Sequence, residues 1–267
     1  MATIHKLMSL QGRRALVTGA LGGIGQQIAL TLAELGSHLV LVDLPGSDYE
    51  ALRSSIGNIA SIDIEALHCD LEDGDERSKL IARIIEQDKG LDILINNAGF
   101  VGTSGLQGWV TEFEQQTVET WRRALEVNLT AAFDLCKGLL PKLKLSGYGS
   151  IINVASIYGV NGPDYSLYEG TEMGNSAAYA ASKGGLIQLT RWLATTLAPD
   201  VRVNAVSPGG VVRGQPEQFV ERYEKRTPLG RMASNEDFKG TIAYLASDLS
   251  AYVTGQNIMV DGGWSIW

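Results

Sequence analysis

Short apolar runs closed by glycine, asparagine or aspartate alternate along this chain with longer stretches whose apolar residues recur every three to four positions. The runs RALVTGA, HLVLVD, IEALHCD, LDILINNAG, SIINVAS, VRVNAVSPGG and NIMVDGG read as seven strands. Near-continuous apolar runs of this kind suit strands covered on both faces. The helical period predicts helices from Gly25 to Leu35, before IEALHCD, before LDILINNAG, from about Thr117 to Leu145 and from about Ala177 to Ala198. Strand and helix in alternation mean parallel βαβ units. The expected fold class is α/β: a single doubly wound Rossmann-type domain with about seven parallel strands and helices on both faces.

No linker rich in proline, glycine or serine divides residues 1–267, and neither an internal repeat nor a low-complexity tract interrupts them. One dinucleotide-binding and catalytic domain is therefore expected. Segments 157–178 and 209–230 break the regular spacing, and each follows the carboxyl end of a strand. Ligands of open α/β sheets bind outside those ends, so both segments are expected to be substrate loops.

The chain has 267 residues, 45% apolar and 19% charged, which is ample for a core and unlike a disordered chain. Its net charge of -8 argues against a surface that neutralises nucleic-acid phosphates and favours a small-molecule partner. No apolar run approaches the roughly 20 residues needed to cross a bilayer. The start MATIHKLMSLQGRR has no apolar core of a secretion signal, so a cytoplasmic protein away from membranes is expected. Cys69 and Cys136 fall in a strand end and a helix as small hydrophobes, with no disulfide framework. His5, His38 and His68 are scattered without ligand spacing, so no metal is expected.

After the first strand comes Thr18-Gly19-Ala20-Leu21-Gly22-Gly23-Ile24-Gly25, leading into an amphipathic helix. Glycines at 19, 23 and 25 would let the backbone turn tightly and present helix N-terminal amides to a pyrophosphate. Asp43 closes the second strand 18 residues beyond Gly25. A carboxylate there can accept from both ribose hydroxyls and would repel a 2′-phosphate, so NAD is expected over NADP. Asp43 could also simply cap a loop.

TGALGGIG, with NNAG at Asn96 to Gly99, resembles the paired hallmarks of the short-chain dehydrogenase/reductase family, and the resemblance covers essentially the whole chain. It implies dinucleotide contacts from Gly19, Leu21, Gly23, Ile24 and Gly25, and around the adenine from Asp70 and Leu71. Asp70 could equally cap a helix. The same resemblance passes Asn97, Ala98 and Gly99 beside the adenosine, with Asn97 chiefly bracing the central strand. It gives Pro208, Gly209 and Val211 the nicotinamide carboxamide. Many relatives continue with a threonine where this chain has Arg213, a guanidinium suited to a pyrophosphate or to an anionic substrate, or a plain surface residue.

Tyr179 and Lys183, in YAASK, lie four residues apart, one turn along one helix face. A free phenol titrates near pH ~10, and a neighbouring ammonium and an oxidised nicotinamide would both favour phenolate. The resemblance completes a tetrad. Tyr179 exchanges the proton, Ser156 hydrogen-bonds the substrate oxygen, Lys183 also holds the nicotinamide ribose, and Asn128 supports a water-linked relay. Hydride transfer between nicotinamide and a secondary alcohol or ketone follows.

Ser156 and Tyr179 are 23 residues apart, a longer interval than in many relatives. The connection carries Tyr158, Asp164, Tyr165, Tyr168, Glu169 and Glu172, able to stack on a ring and to accept from hydroxyls, or to pack an interface. With Arg213, this predicts a polar ring-bearing substrate, an amino sugar or its phosphorylated or nucleotide-linked form. The segment also resembles dehydrogenases of bacterial surface-sugar biosynthesis. A 3-oxoacyl-[acyl-carrier-protein] reductase is the alternative enzyme, and a catalytically silent dinucleotide sensor the alternative of another class. The family resemblance implies a homo-oligomer, a tetramer, with Trp264 and Trp267 expected at its interface.

Overall fold

The computed structural model describes residues 1–101 and 106–267. A short helix α1 (Ile4–Met8) precedes β1 (Arg14–Thr18), α2 (Gly23–Glu34), β2 (His38–Asp43), α3 (Glu50–Gly57), β3 (Ile64–His68), α4 (Gly74–Glu86) and β4 (Ile93–Asn96). The second half runs α5 (Val118–Leu125), α6 (Ala131–Leu145), β5 (Gly149–Val154), α7 (Ala177–Leu197), β6 (Val201–Pro208), α8 (Glu217–Arg226), α9 (Lys239–Ala246) and β7 (Asn257–Val260).

All seven strands pair in parallel in the order β3-β2-β1-β4-β5-β6-β7. Alternate strand residues point to opposite faces, which splits the core in two. Val17, Leu41, Ile95 and Ile152 meet Ile28 and Leu32 of α2 and Ile242 of α9 on one side. Leu16, Val42, Leu94 and Ile151 meet Leu80 and Ile84 of α4, Leu139 of α6 and Leu193 of α7 on the other. The order in which strands are added reverses between β1 and β4, and the crevice outside their carboxyl ends is where a doubly wound sheet takes its ligand. Cys69 and Cys136 are free and buried, and no described helix is long and apolar enough to cross a membrane.

Three features depart from the sequence reading. The helix expected as one piece from Thr117 to Leu145 contains a wide π-type turn at Glu126–Thr130 between α5 and α6. Such a turn inserts an extra residue and re-aims the side chains on it, here Asn128. Segment 209–230 is partly helical, because Phe219 and Tyr223, four apart, form one apolar face of α8. That face builds a third core with Ile157, Leu167, Tyr168, Met232 and Trp264. Trp264 is accordingly only 2% exposed within its own chain and stacks on Tyr223, so the expectation that it packs at a subunit interface is corrected. Trp267 remains largely exposed.

Candidate active site

A cleft of about 750 Å³ opens over the carboxyl ends of the strands and runs from Asp43 and Asp70 at one end to Ser156, Tyr179 and Lys183 at the other. Its first wall is the turn from β1 into α2. Gly19 has φ +60°, and a Cβ on Gly25 would sit 2.0 Å from the Gly19 carbonyl oxygen, so only glycine permits this closure. Gly22, the residue before α2, offers no side-chain cap, which leaves first-turn amides open to an anion. The cradle therefore fits a dinucleotide pyrophosphate.

Asp43 accepts hydrogen bonds from the Leu21 amide at 2.8 Å through Oδ2 and from the Leu44 amide at 2.9 Å through Oδ1. The carboxylate thus ties the end of β2 to the glycine turn while lining the cleft. Leu21 itself contributes that backbone amide and is absent from the cleft lining, whereas Gly19, Gly23, Ile24 and Gly25 line it. Asp70 and Leu71 line the cleft beyond the end of β3. Asp73 caps α4, which answers the alternative role considered for Asp70. Asn97 donates through Nδ2 to the carbonyls of Thr18 and Gly19, both at 2.9 Å. Thr18 Oγ1 in turn accepts from the Asn97 and Ala98 amides, so the two central strands are stitched together at the switch point. Ala98, Gly99, Pro208, Gly209 and Val211 continue the lining toward the catalytic end.

Ser156 follows β5 with its hydroxyl oxygen accepting from the Tyr158 amide at 3.2 Å. Ser176 caps α7, accepting from the Tyr179 amide, and so sets Tyr179 in the first turn and Lys183 one turn on. Burial pushes the Tyr179 phenol above its ordinary value, while the Ser156 hydroxyl and the positive charge of Arg213 pull it down. Lys183, 3% exposed, is pushed down to about 8 by burial. Its ammonium donates to the Val154 carbonyl at 2.8 Å and stands 5.8 Å from the centre of the Tyr179 ring. Lys183 is thus held by a backbone carbonyl beside the Tyr179 ring, and the positive charge of Arg213 is a second cation that favours phenolate.

Asn128 is 2% exposed. Its Oδ1 accepts from the Phe100 amide at 2.6 Å, and its Nδ2 donates to Ser182 Oγ at 2.9 Å. A Cβ on Gly99 would lie 3.6 Å from Lys183 Nζ and 3.7 Å from Asn128 Oδ1, so both side chains converge there. The Asn128 amide is spent on protein groups, linking the strand-end loop to α7.

The substrate candidates divide. Tyr158, Tyr168 and Arg213 line the cleft, and the two phenols hydrogen-bond to each other. Burial raises both phenols, Tyr168 to about 12. Asp164 does not line it, because its carboxylate pairs with Arg226 at 2.6 Å and accepts from Ser166. Tyr165 is 62% exposed and Glu169 is also exposed, and neither lines the cleft. The sequence reading missed Phe100, Trp109, Val110, Phe219 and Met232, which supply the apolar part of the wall. Only the Phe219/Tyr223 spacing signalled any of this from sequence.

A parallel sheet with a glycine turn at its switch point and a Tyr-Lys pair in the same cleft defines a dinucleotide-dependent oxidoreductase of Rossmann type. The chain belongs to the short-chain dehydrogenase/reductase family, oxidoreductases of alcohol and ketone groups: a family model described as enoyl-(acyl carrier protein) reductase matches residues 19–265. The 3-oxoacyl-[acyl-carrier-protein] reductase of Rickettsia felis is 34% identical over 262 residues, 96% of this chain and 98% of the relative. The trans-4-hydroxycyclohexanecarboxylate dehydrogenase of Sinomonas cyclohexanicum is 35% identical over 255 residues, 93% of this chain and 91% of the relative. A short-chain dehydrogenase from Leptospira borgpetersenii, solved with bound NAD+, matches with a TM-score of 0.82 and 33% identity, covering 99% of this chain and 96% of that one.

Proposed function

We propose that this protein is an NAD-preferring dehydrogenase or reductase that interconverts a secondary alcohol and its ketone on a polar, ring-bearing substrate of sugar-like size. The carrying observation is that Ser156, Tyr179 and Lys183 meet at one end of a cleft whose other end holds the Asp43 carboxylate. In this reading Asp43 accepts from the adenosine ribose and opposes a 2′-phosphate, and the first-turn amides of α2 meet the pyrophosphate. Asp70 and Leu71 flank the adenine. Pro208, Gly209 and Val211 present backbone groups to the carboxamide, and Lys183 holds the second ribose.

Bound nicotinamide supplies hydride exchange with the substrate carbon. The chain supplies the rest. Ser156 donates to the substrate oxygen and holds it against Tyr179, whose phenolate oxygen takes the hydroxyl proton in oxidation and returns it in reduction. Asn128 is a positioning residue that keeps the Gly99–Phe100 backbone and α7 in register. The ring-bearing part rests on Tyr158 and Tyr168 in the cleft and on the similarity to a dehydrogenase whose named substrate carries its alcohol on a six-membered ring. An amino group on that ring has lost its intended acceptors, since Asp164 is taken by Arg226 and Glu169 lies outside the cleft. The reading includes a cytoplasmic homotetramer, which light scattering on the purified protein checks.

The test follows nicotinamide absorbance with NAD and NADP over sugars, sugar phosphates, nucleotide sugars, ring alcohols and 3-oxoacyl thioesters. Turnover of a ring-borne alcohol with NAD is expected. Reduction of a 3-oxoacyl thioester is the second reading, favoured by the match to the Rickettsia felis reductase. A thioester turned over faster than any ring alcohol, with NADPH preferred, would put that reading in first place.

A further inference from the structure

We propose that Arg213 is the anion receptor of this site and that the substrate carries an oxyanion, a carboxylate or a phosphate, alongside the alcohol. The inference rests on the oxidoreductase reading above and narrows its substrate class. Three cationic side chains line the cleft, and two already have partners: Arg123 pairs with Glu72 at 2.8 Å and Lys183 donates to the Val154 carbonyl. Among the described residues the Arg213 guanidinium makes no hydrogen bond or ion pair, and only its backbone is engaged. Gln215 accepts from the Arg213 amide at 2.6 Å and donates to the Val211 carbonyl at 2.7 Å, which clamps the backbone that carries the guanidinium.

The distribution of negative charge gives the direction. The carboxylates that line the cleft are Asp43, the last residue of β2, and Asp70 and Glu72, which follow β3, all at the end away from Tyr179. Among the described residues the guanidinium that lines the cleft therefore has no counter-ion, and its positive charge favours the phenolate form of Tyr179. A planar guanidinium offers paired donors that match a carboxylate or phosphate, and Arg213 is exposed at the cleft, where an incoming oxyanion can reach it. The oxyanion then sets which hydroxyl of the substrate reaches Ser156.

The test is binding to the NADH-loaded protein, followed by calorimetry so that it does not depend on turnover. The probes are cyclohexanecarboxylate, its neutral carboxamide, and inorganic phosphate. Hydrogen bonds to charged groups contribute about 1.5–3 kcal/mol, so Arg213→Gln should weaken the preferred anion by about 10-fold or more and leave the carboxamide unchanged. Arg213→Lys should retain part of the preference, and the stronger of the two anions identifies the oxyanion. Equal affinity of the unmodified protein for anion and carboxamide, including none for either, overturns the proposal. So does a loss of NADH affinity in Arg213→Gln, which would assign the guanidinium to the dinucleotide. Anion binding without turnover of any alcohol would sink the oxidoreductase reading alone, and turnover of neutral alcohols without anion selectivity would sink this one alone.

Discussion

The Asp43 carboxylate accepts a 2.8 Å hydrogen bond from the backbone amide of Leu21. One side chain thus locks the glycine turn onto the end of β2 and presents negative charge to the cleft. Substitution there acts on two things, the shape of the turn and the charge that meets the adenosine ribose, and the two can be separated.

Asp43→Asn keeps an acceptor oxygen but removes the charge, so the preference for NAD over NADP should narrow by about 10-fold or more, the worth of roughly 1.4 kcal/mol. Asp43→Ala should narrow it further and also lower the melting temperature, because the Leu21 and Leu44 amides lose their acceptors. Ratios of kcat/KM for the two dinucleotides, with melting curves, check this. An unmodified enzyme that uses NADP as well as NAD would refute the role given to Asp43.

Tyr179→Phe should lose about 10² to 10⁴ in turnover, the usual worth of positioned acid–base catalysis, with circular dichroism and NADH affinity unchanged. Steady-state rates alongside a fluorescence titration of NADH measure both. Near-normal turnover in the folded variant would remove Tyr179 from the proton path.

Lys183 makes stability and binding depend on pH in a set direction. Its folded value of about 8 lies below the ordinary 10.5, so between those values the unfolded chain binds more protons and stability rises with pH. Lys183→Met removes the cost of burying the ammonium. Its urea midpoint should exceed that of the unmodified protein most below about pH 8 and lose that advantage as pH climbs toward 10.5. NAD affinity of the unmodified protein should fall as pH rises through about 8, as the lysine loses its charge. A pH-independent difference in midpoint would contradict the burial of a charged lysine.

Tyr168 and Tyr165 should behave oppositely, although both belong to the same connection. Tyr168→Phe removes the hydroxyl that meets Tyr158 inside the cleft, so KM for the ring-bearing substrate should rise with little change in melting temperature. Tyr165→Ala, at a ring 62% exposed, should leave kcat/KM unchanged. Equal effects from the two would mean that the connection acts as a whole and that the cleft wall is not set by Tyr168.

The sequence by itself determined the sheet, the glycine turn, the Asp43 terminus of β2 and the Tyr179–Lys183 spacing. These are local matters: near-continuous apolar runs or period 3.6, a backbone that only glycine can close, and two side chains one turn apart on one helix. Tertiary structure alone decided the partners. Asp164 is neutralised by Arg226, 62 positions away, and is lost to the substrate. Trp264 is drawn inside by Tyr223, and Asn128 is turned by a π-type turn toward Phe100 and Ser182. Lys183 is held by the Val154 carbonyl beside the Tyr179 ring, and Arg213 lines the cleft with only its backbone amide engaged among the described residues. No periodicity encodes these outcomes, because the energy of a charge or an aromatic ring depends on what packing brings within a few ångströms, and residues far apart in sequence compete for the same partner.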